Sequence, residues 1–492
     1  MHSFDPSRVQ VRCAHFIGGL YREAPALLDV SRPSDGQRYA GLPIADAALV
    51  DEIVENAWRA FKTSNWATCP PRDRARIMRR WADLIEADVA TLAPLESVGS
   101  TRPCADAAGF DVPFTAEGVR FFAEFADKVG GEVASTATDH LGLQISEPYG
   151  VIAAIAPWNF PLTMACWKIA PALAAGNAVV LKPSEMTPFS CLRLAELAIQ
   201  AGMPAGIFNV VQGDGRTTGD ALCRHPKISK VTFTGSTATG SSIMAACAQT
   251  GPKPVTLELG GKSPQLVFAD APDLGRTARS IARAITGNAG QVCVSGSRLI
   301  VERSVFEPLV AEIISCFEAL KPGHTWDAHT TLAPIINAAQ AQRIAGIVDR
   351  AAAAGAHTLS GGQMFDNALG GCFYQPTLLT GVASDNPAVL EEIFGPVLTV
   401  QVFDDEEQAL ALAEHPVYGL AAGVHTADLG RALRAVRKLE VGTVWINRYG
   451  RSADFIIPTG GYKRSGIGKD LGRAAYEANL RFKSVLIDIG QS

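Results

Sequence analysis

Several patterns typical of secreted, zinc-binding and membrane proteins are missing from this chain of 492 residues. Its ten cysteines form no Cys-x-x-Cys pair, so neither a zinc site nor a disulfide framework is indicated. No apolar run approaches the roughly 18 residues of a membrane span, and the N-terminus has no apolar signal core. We therefore expect a cytoplasmic protein with reduced thiols, no metal and no contact with membranes.

The charge of the chain excludes a further class of partner. The net charge is −5 and no long basic run occurs, so nucleic acid is not expected to bind. The composition, with 47% hydrophobic and 19% charged residues, is that of a globular protein. A chain of this length is expected to form roughly three domains of ordinary size.

Strands and helices are predicted to alternate from residue 151 onward. Two amphipathic helices precede this region. The first covers 46–62, with Asp46 as a candidate N-cap, and the second covers 71–92 and begins with Pro71. The apolar runs that follow are Val151–Ala156, Ala178–Leu181, Ile207–Val211, Val231–Phe233, Gln265–Phe268, Leu299–Glu302, Val397–Phe403 and Thr443–Ile446. The pattern predicts an α/β protein with two doubly wound parallel sheets, whose ligands bind beyond the carboxyl ends of the strands.

Three side chains in this region are candidates for covalent catalysis. Cys293 stands among glycines and small residues in the stretch 287–298, where a loop can pass close to a substrate carbonyl. Asn159 follows the strand at 151–156, so its amide can point at a developing oxyanion. Glu258 lies between two leucines, and burial would raise its pKa above the ordinary value, as a general base that works near neutral pH requires. A turn asparagine and a buried structural acid are the simpler alternatives.

Two further segments have the composition of a nucleotide site. Lys182 and Glu185 could donate to and accept from ribose hydroxyls, although an exposed charged turn is the alternative. The run from Phe233 to Gly240 follows a strand and opens a helix, where backbone N–H groups can meet a pyrophosphate. Its Gly-x-x-x-x-Gly spacing departs from the general dinucleotide fingerprint, and Gly213-Asp-Gly215 is interpreted as a turn.

Together these segments resemble the aldehyde dehydrogenase superfamily, in the same order and over about residues 15–488. The matched runs include Pro157-Trp-Asn-Phe-Pro161, Leu257-Glu-Leu-Gly-Gly-Lys-Ser-Pro264 and Glu391-Glu-Ile-Phe-Gly-Pro-Val397. The resemblance implies a hydrolytic, NAD(P)-dependent enzyme with a Rossmann-like cofactor domain, a catalytic domain and a small β arm.

The resemblance also implies the catalytic roles. Cys293 would attack the aldehyde, and the Asn159 amide with the Cys293 N–H would form the oxyanion hole. Glu258 would activate the water that hydrolyses the thioester. Lys168 and Asp470 match positions that relay protons in some relatives, and solvated helix charges are the alternative.

Cofactor residues follow from the same resemblance. They are Ile155, Ala156, Pro157, Trp158, Lys182, Ser184, Glu185, Gly215, Phe233, Gly235, Ser236, Gly240, Leu259, Gly260, Glu392 and Phe394. Glu392 would hold the nicotinamide ribose with Phe394 beside it. An acid at Glu185 accepts from a ribose 2′-hydroxyl and repels a 2′-phosphate, which favours NAD while leaving NADP possible.

The expected substrate tunnel is mostly apolar. By family position its wall consists of Phe114, Phe160, Trp167, Val292, Val294 and Phe455. This predicts a medium-chain aliphatic or aromatic aldehyde, with a semialdehyde or aminoaldehyde as the alternative. Thr459 stands where the family usually has phenylalanine. Arg448 and Arg451 lie near the tunnel mouth, where they could favour an acidic substrate or, as we expect, face water.

The resemblance divides the chain into three parts. Residues 1–129 and 149–257 would bind the cofactor, 258–474 would form the catalytic domain, and 130–148 with 475–492 would form an oligomerisation arm. Such an arm adds a strand to a neighbour's sheet, so a homodimer or homotetramer is expected.

Two other functions stay open at this point. A CoA-acylating dehydrogenase would use CoA in place of water, but those relatives generally have no glutamate where Glu258 stands. A non-catalytic structural or binding protein on the same scaffold would be expected to have lost Cys293 or Glu258, and both are present.

Overall fold

A computed structural model describes residues 2–366, 368–452 and 454–490. The strands are β1 (Ala14–Ile17), β2 (Leu20–Glu23), β3 (Leu28–Ser31), β4 (Arg38–Leu42), β5 (Glu132–Ala134), β6 (His140–Pro148), β7 (Val151–Ile155), β8 (Ala178–Lys182), β9 (Phe208–Val210), β10 (Ile228–Thr234), β11 (Val255–Glu258), β12 (Pro264–Val267), β13 (Arg298–Glu302), β14 (His357–Ser360), β15 (Thr377–Thr380), β16 (Val397–Phe403), β17 (Tyr418–Gly419), β18 (Ala421–His425), β19 (Thr443–Ile446), β20 (Tyr462–Lys463), β21 (Gly466–Ile467) and β22 (Leu480–Asp488).

The α-helices cover the two main sheets and make the connections between parallel strands. They are α1 (Ala47–Thr63), α2 (Pro71–Ala87), α3 (Val89–Gly99), α4 (Cys104–Asp106), α5 (Val112–Phe125), α6 (Pro161–Ala174), α7 (Ser190–Gln200), α8 (Asp220–Arg224), α9 (Thr237–Gln249), α10 (Leu274–Thr286), α11 (Phe306–Glu318), α12 (Ala338–Ala353), α13 (Pro387–Leu390), α14 (Glu406–Ala413), α15 (Leu429–Lys438) and α16 (Gly472–Glu477).

The first sheet has eight strands in the order β2-β1-β9-β8-β7-β10-β11-β21. Its five central strands, from β9 to β11, are parallel to one another. Strands β7 and β8 are buried along their whole length, as expected where helices cover both faces of a sheet. Both edges are antiparallel, because β1 pairs with β9 on one side and β21 pairs with β11 on the other.

The second sheet has seven strands in the order β14-β15-β16-β13-β12-β18-β19. All neighbours are parallel except β14 and β15. The prediction of two doubly wound parallel sheets is therefore confirmed. Strand β21 lies far from β11 in the sequence, so the C-terminal part of the chain returns to close the edge of the first sheet.

The N-terminal helices begin where their sequence signals indicate. The Asp46 carboxylate accepts a hydrogen bond from the Leu49 N–H at 2.9 Å, and α2 begins at Pro71. The single helix predicted over 71–92 is wrong in one respect. The chain leaves helical geometry at Asp88, where α2 ends and α3 begins.

A third, three-stranded antiparallel sheet has the order β22-β6-β5. Its strands lie in the two segments that the resemblance assigns to an oligomerisation arm. Strands β22 and β6 pair over nine consecutive residues, and apolar side chains such as Phe482 and Leu486 are exposed on β22. Within the described ranges, no helix is long and apolar enough to cross a membrane.

Candidate active site

Four of the candidate residues lie at the carboxyl edge of the first sheet. Asn159 follows β7, Lys182 ends β8, Ser236 follows β10 and Glu258 ends β11. Because β8, β7, β10 and β11 are adjacent and parallel, their carboxyl ends meet at one edge. This is the edge at which doubly wound sheets bind ligands.

Cys293 lies on a loop that begins with a tight turn at Gly287–Gly290. Three consecutive residues of this turn, Asn288, Ala289 and Gly290, have positive φ angles of 49°, 51° and 72°. Left-handed backbone is costly for residues other than glycine, so the surrounding contacts must hold this turn. Val292, Cys293 and Val294 are partly exposed, so this part of the loop borders solvent.

Side-chain amides hold the cysteine loop against the segment that contains Asn159. The Asn159 Nδ2 donates to the Gln291 carbonyl at 2.9 Å, and the Asn288 Nδ2 donates to the Asn159 carbonyl at 2.9 Å. The Gln291 side chain is also fully engaged, because it donates to the Asn288 and Pro334 carbonyls and accepts from the Ile336 N–H. These contacts hold the Asn159 amide at the Gln291 carbonyl, which lies two residues before Cys293 in the sequence.

Gly261 brings the end of β11 into contact with the nucleophile. A Cβ atom at this position would lie 2.6 Å from the Cys293 carbonyl oxygen, so only glycine permits the observed approach. Burial raises the pKa of the Cys293 thiol to about 11, assisted by Glu258 and Glu392 and opposed by Arg451. Two carboxylates and one guanidinium therefore act electrostatically on the thiol.

Glu258 is buried at this same point. Its Oε1 atom has no hydrogen-bond partner among the described residues. Burial raises the pKa of Glu258 well above its ordinary value, as does the nearby Asp470, whereas Lys168, Arg451 and Lys469 act in the opposite direction. A carboxyl group with a raised pKa and a free oxygen atom is suited to accept a proton from water.

Lys168 and Asp470 form a buried ion pair beside Glu258. The Lys168 Nζ donates to the Asp470 Oδ2 at 2.6 Å, and both side chains are almost fully inaccessible to solvent. The interpretation of these two residues as solvated helix charges is therefore wrong. The pair balances its own charge and leaves the Glu258 carboxyl without a partner.

The residues expected at the ribose are also adjacent. The Lys182 Nζ donates to the Pro183 carbonyl at 2.7 Å and lies 3.4 Å from the Glu185 Oε2. Lys182 is buried, whereas the Glu185 carboxylate is 39% exposed. Burial lowers the pKa of Lys182, and Glu185 opposes that shift. Ile155, Ala156 and Ser184 are buried in the same region, at the ends of β7 and β8.

Helix α9 begins directly after β10, as the sequence predicts. The Ser236 hydroxyl caps it by accepting from the Thr239 N–H. Gly240 packs so closely on Leu259 that a Cβ would lie 2.6 Å from a leucine methyl group, and a Cβ at Gly235 would enter the Phe233 ring. Gly215, interpreted as a turn, instead begins a π-helical segment at Gly215–Gly219.

The Glu392 segment reaches this edge from the second half of the chain. The Gly261 N–H donates to the Glu392 Oε1 at 3.0 Å, and a Cβ at Gly260 would meet the same carboxylate. Burial raises the pKa of Glu392. The Phe394 ring contacts the Trp158 ring edge-on, with 5.3 Å between centroids. Phe394 therefore lies beside the segment that contains Pro157 and Asn159.

An aromatic cluster forms where the substrate wall is expected. The Phe114 ring lies 4.5 Å from Phe455 and 6.5 Å from Trp167, measured between centroids. Phe160 is partly buried, and the Arg102 guanidinium covers its ring at 4.5 Å. Phe114 thus pairs with two other expected wall residues, and Val292 and Val294 flank the cysteine in the sequence.

Comparisons with known proteins agree on one family. The model of the aldehyde dehydrogenase family matches residues 21–485 of this chain. The chain belongs to the aldehyde dehydrogenase family. It is 42% identical over 440 residues to the NADP/NAD-dependent aldehyde dehydrogenase PuuC of Escherichia coli strain K12, covering 89% of this chain and 88% of PuuC.

Solved aldehyde dehydrogenases share the whole fold. The indole-3-acetaldehyde dehydrogenase AldA of P. syringae, solved with NAD+ and IAA, superposes with a TM-score of 0.95 at 41% identity and 98% coverage of each chain. The gamma-glutamyl-gamma-aminobutyraldehyde dehydrogenase of Burkholderia cenocepacia J2315 superposes with a TM-score of 0.96 at 41% identity, covering 99% of this chain and 98% of that one.

Some residues of this aldehyde dehydrogenase site were not identified from the sequence. Asn288 and Gln291 lie inside the stretch 287–298 around Cys293. Two amide side chains so close in sequence to a candidate nucleophile were the signal that could have identified them. Tyr449 donates its hydroxyl to the Val294 carbonyl at 2.8 Å. Arg448 faces water as expected, but Arg451 is turned inward, so the expectation for Arg451 was wrong.

Proposed function

We propose that this aldehyde dehydrogenase oxidises an aldehyde to the carboxylic acid through a thioester on Cys293, with NAD(P) as the electron acceptor. One observation carries the proposal: the partly exposed Cys293 follows the Gln291 carbonyl that binds the Asn159 amide, and Glu258, whose Oε1 has no partner among the described residues, acts electrostatically on the Cys293 thiol. Each of these three groups has a defined task in thioester chemistry.

The first half of the reaction depends on Cys293 and Asn159. The thiolate attacks the aldehyde carbon and gives a tetrahedral oxyanion. One N–H of the Asn159 amide is engaged with Gln291, and we propose that the other donates to this oxyanion together with the Cys293 N–H. The loop contacts of Asn288 and Gln291 support this role, because they fix the donor before substrate arrives.

The second half depends on Glu258. As the ionised base, it takes a proton from a water molecule, which attacks the thioester and releases the carboxylic acid. The buried Lys168–Asp470 pair is proposed to take up or return this proton, because both residues act electrostatically on Glu258.

The residues at the carboxyl edge of the first sheet fit a dinucleotide. The Ser236-capped start of α9 offers backbone N–H groups to a pyrophosphate, and Gly235 and Gly240 let this turn pack against Phe233 and Leu259. Lys182, Ser184 and Glu185 would hold the adenosine ribose, and Glu392 the nicotinamide ribose. When bound, NAD(P) accepts the hydride from the substrate. The partly exposed Glu185 favours NAD, whereas the adjacent Lys182 attracts the 2′-phosphate of NADP. The related PuuC is an NADP/NAD-dependent enzyme.

The aromatic cluster of Phe114, Trp167 and Phe455 supports a medium-chain aliphatic or aromatic aldehyde. Phe160, Val292 and Val294 are proposed to complete the wall of the tunnel. The related AldA is an indole-3-acetaldehyde dehydrogenase, which fits an aromatic wall. A semialdehyde is the second candidate, and the inward position of Arg451 favours it.

Assembly is proposed to follow from the three-stranded sheet. Its edge strand β22 carries exposed apolar residues, which supports pairing with a neighbouring chain in a homodimer or homotetramer. We also propose that residues 1–129 and 149–257 act as the cofactor domain, 258–474 as the catalytic domain, and 130–148 with 475–492 as the arm. A cytoplasmic location fits the ten free thiols.

The proposal is tested by Cys293→Ala and Glu258→Gln in assays with acetaldehyde or benzaldehyde and no CoA. Cys293→Ala should abolish turnover but not NAD binding. Glu258→Gln should release about one equivalent of NADH per site in a burst and then turn over slowly, because acyl-enzyme accumulates. Turnover by Cys293→Ala at the wild-type rate would refute the mechanism. If the wild type requires CoA for turnover, it is an acylating dehydrogenase. If the wild type shows no turnover with or without CoA, it is a non-catalytic protein.

A further inference from the structure

Arg451 lies inside the proposed site, unlike the neighbouring Arg448. The Arg448 side chain is exposed, and within the described part of the chain it donates only to the Gly450 carbonyl. The Arg451 guanidinium lies over the Trp167 ring, 4.9 Å from its centroid, and donates to the Thr459 hydroxyl. The two arginines therefore stand on one connection between β19 and β20 but face different surroundings.

Two contacts place the Arg451 segment beside the reacting groups. Tyr449, two residues earlier, donates to the carbonyl of Val294, the residue after Cys293. Gly460, which follows Thr459, lies so close to the base that a Cβ there would be 2.9 Å from the Glu258 Oε1. Arg451 is thus held between the cysteine loop, the base and the aromatic cluster.

Among the residues that the structure describes, none is a direct counterion of Arg451. The structure records no carboxylate within 4.0 Å of its guanidinium in the described ranges, and the Thr459 hydroxyl is the one recorded acceptor for its five N–H groups. Two acids act on the guanidinium electrostatically: Glu258 is the base of the proposed mechanism, and Asp470 is already paired with Lys168. A guanidinium stays charged in proteins and matches a carboxylate with two parallel hydrogen bonds.

Thr459 provides the room for this arrangement. The small side chain stands where phenylalanine is usual in the family, and its hydroxyl accepts the hydrogen bond from Arg451. A phenyl ring would offer no such acceptor. The pairing of Arg451 with Thr459 therefore introduces a charged group into a wall that is otherwise apolar.

We infer that Arg451 binds a carboxylate at the far end of the substrate, so that the preferred substrates are ω-oxo acids. Trp167, Phe114 and Phe455 would pack along the methylene chain between the aldehyde and the carboxylate. The inference rests on the proposed function and narrows its substrate class. Aminoaldehydes are excluded by the same geometry, because their ammonium group would meet the guanidinium.

The competing role for Arg451 is to assist the nucleophile. Its positive charge opposes the rise in the pKa of Cys293, so it could serve the thiolate and not the substrate. The two roles differ in one measurable respect. A substrate-binding arginine discriminates between charged and neutral aldehydes, whereas a thiolate-activating arginine affects both to the same extent.

The first test uses only the wild-type enzyme and NAD. We would measure kcat/KM for ω-oxo acids with two to six methylene groups, and for the methyl ester of each. At the best chain length the acid should exceed its ester by about ten- to a hundredfold, as expected for a charge-assisted pair. Oxidation of the esters with no preference for the acids would overturn the inference while the proposed function stands. Failure to oxidise any aldehyde would overturn both.

The second test uses variants and reports the acid-to-ester ratio within each protein. Arg451→Gln should reduce the ratio to about one, and Arg451→Lys should retain part of it. Arg448→Gln is the matched control on the same connection and should keep the wild-type ratio. Thr459→Val should lower the ratio, because the guanidinium loses its acceptor.

Alkylation of Cys293 by iodoacetamide, followed against pH, separates the two roles. The inference requires that Arg451→Gln change the acid-to-ester ratio. If this variant slows the acid and the ester equally and also slows alkylation, Arg451 assists Cys293 and the inference is wrong.

Discussion

At the scale of single residues, the protonation of Glu258 determines when the site is competent. The carboxyl is buried, one of its oxygens has no partner, and its pKa is raised well above the ordinary range. The base works only when ionised, so deacylation should accelerate as the pH rises through that raised pKa. The same shift affects the stability of the fold.

The pH dependence of stability gives a prediction for Glu258→Gln. Between the ordinary pKa of a glutamate and the raised pKa, the folded state binds more protons than the unfolded chain. The free energy of unfolding therefore falls as the pH rises in this window, and the glutamine variant should not share this loss. The difference in melting temperature between the variant and the wild type should therefore rise in favour of the variant by about 2 °C or more between pH 5 and pH 8.

Glu124, an exposed glutamate on α5, provides the control for this comparison. Glu124→Gln should follow the wild-type melting curve across the same pH range. Parallel curves for the wild type and Glu258→Gln would mean that Glu258 titrates alike in the folded and unfolded states.

At the scale of elements, two loops meet at Gly290. A Cβ at this position would lie 2.1 Å from the Gly395 carbonyl oxygen, next to the segment that contains Glu392 and Phe394. Gly290 also has a positive φ angle of 72°. The cysteine loop and the Glu392 segment can therefore touch only because position 290 has no side chain.

We predict that Gly290→Ala lowers kcat/KM by about tenfold or more, because displacement of a reacting group by a fraction of an ångström is costly. Gly287→Ala is the matched control on the same turn, since its φ is negative and a Cβ there would meet no atom within 4 Å. Steady-state kinetics and circular dichroism of both variants would separate loss of geometry from loss of fold. Equal activities would show that the contact at Gly290 is dispensable.

Elements with local signals were predictable from the sequence, and long-range contacts were not. The apolar runs at 151–156 and 397–403 predicted strands β7 and β16, and Asp46 predicted the start of α1. The pairing of β21 with β11 has no local signal, because two residues carry too little pattern to define a strand. Arg451 shows the same limit at the site, since the direction of this loop side chain depends on its contact with Trp167, which is distant in sequence.

At the scale of the whole molecule, the arm offers an edge for association. Strand β22 pairs with β6 on one side only, and Phe482 and Leu486 on it are 57% and 67% exposed. Exposed apolar residues on an unprotected edge strand are a liability for a monomer, so we expect a partner chain to cover them.

Phe482→Glu should shift the protein to a smaller species in sedimentation velocity experiments, because a buried charge opposes association. Leu429→Glu is the control, since Leu429 is 67% exposed at the start of α15 and far from the arm in sequence. That variant should sediment like the wild type. An unchanged sedimentation coefficient for Phe482→Glu would remove Phe482 from the interface.

The pairing of β21 with β11 has a consequence for biosynthesis. Glu258 pairs with Gly466, and the Leu259 N–H donates to the Ser465 carbonyl, so the strand that ends in the base is completed by residues translated long after it. Cys293 and Asn159 emerge from the ribosome well before that pairing can form. In a nascent chain, or one truncated before Ser465, the outer edge of β11 would therefore be unpaired, and Glu258 would reach its final surroundings only after residues 465–467 had folded onto that strand.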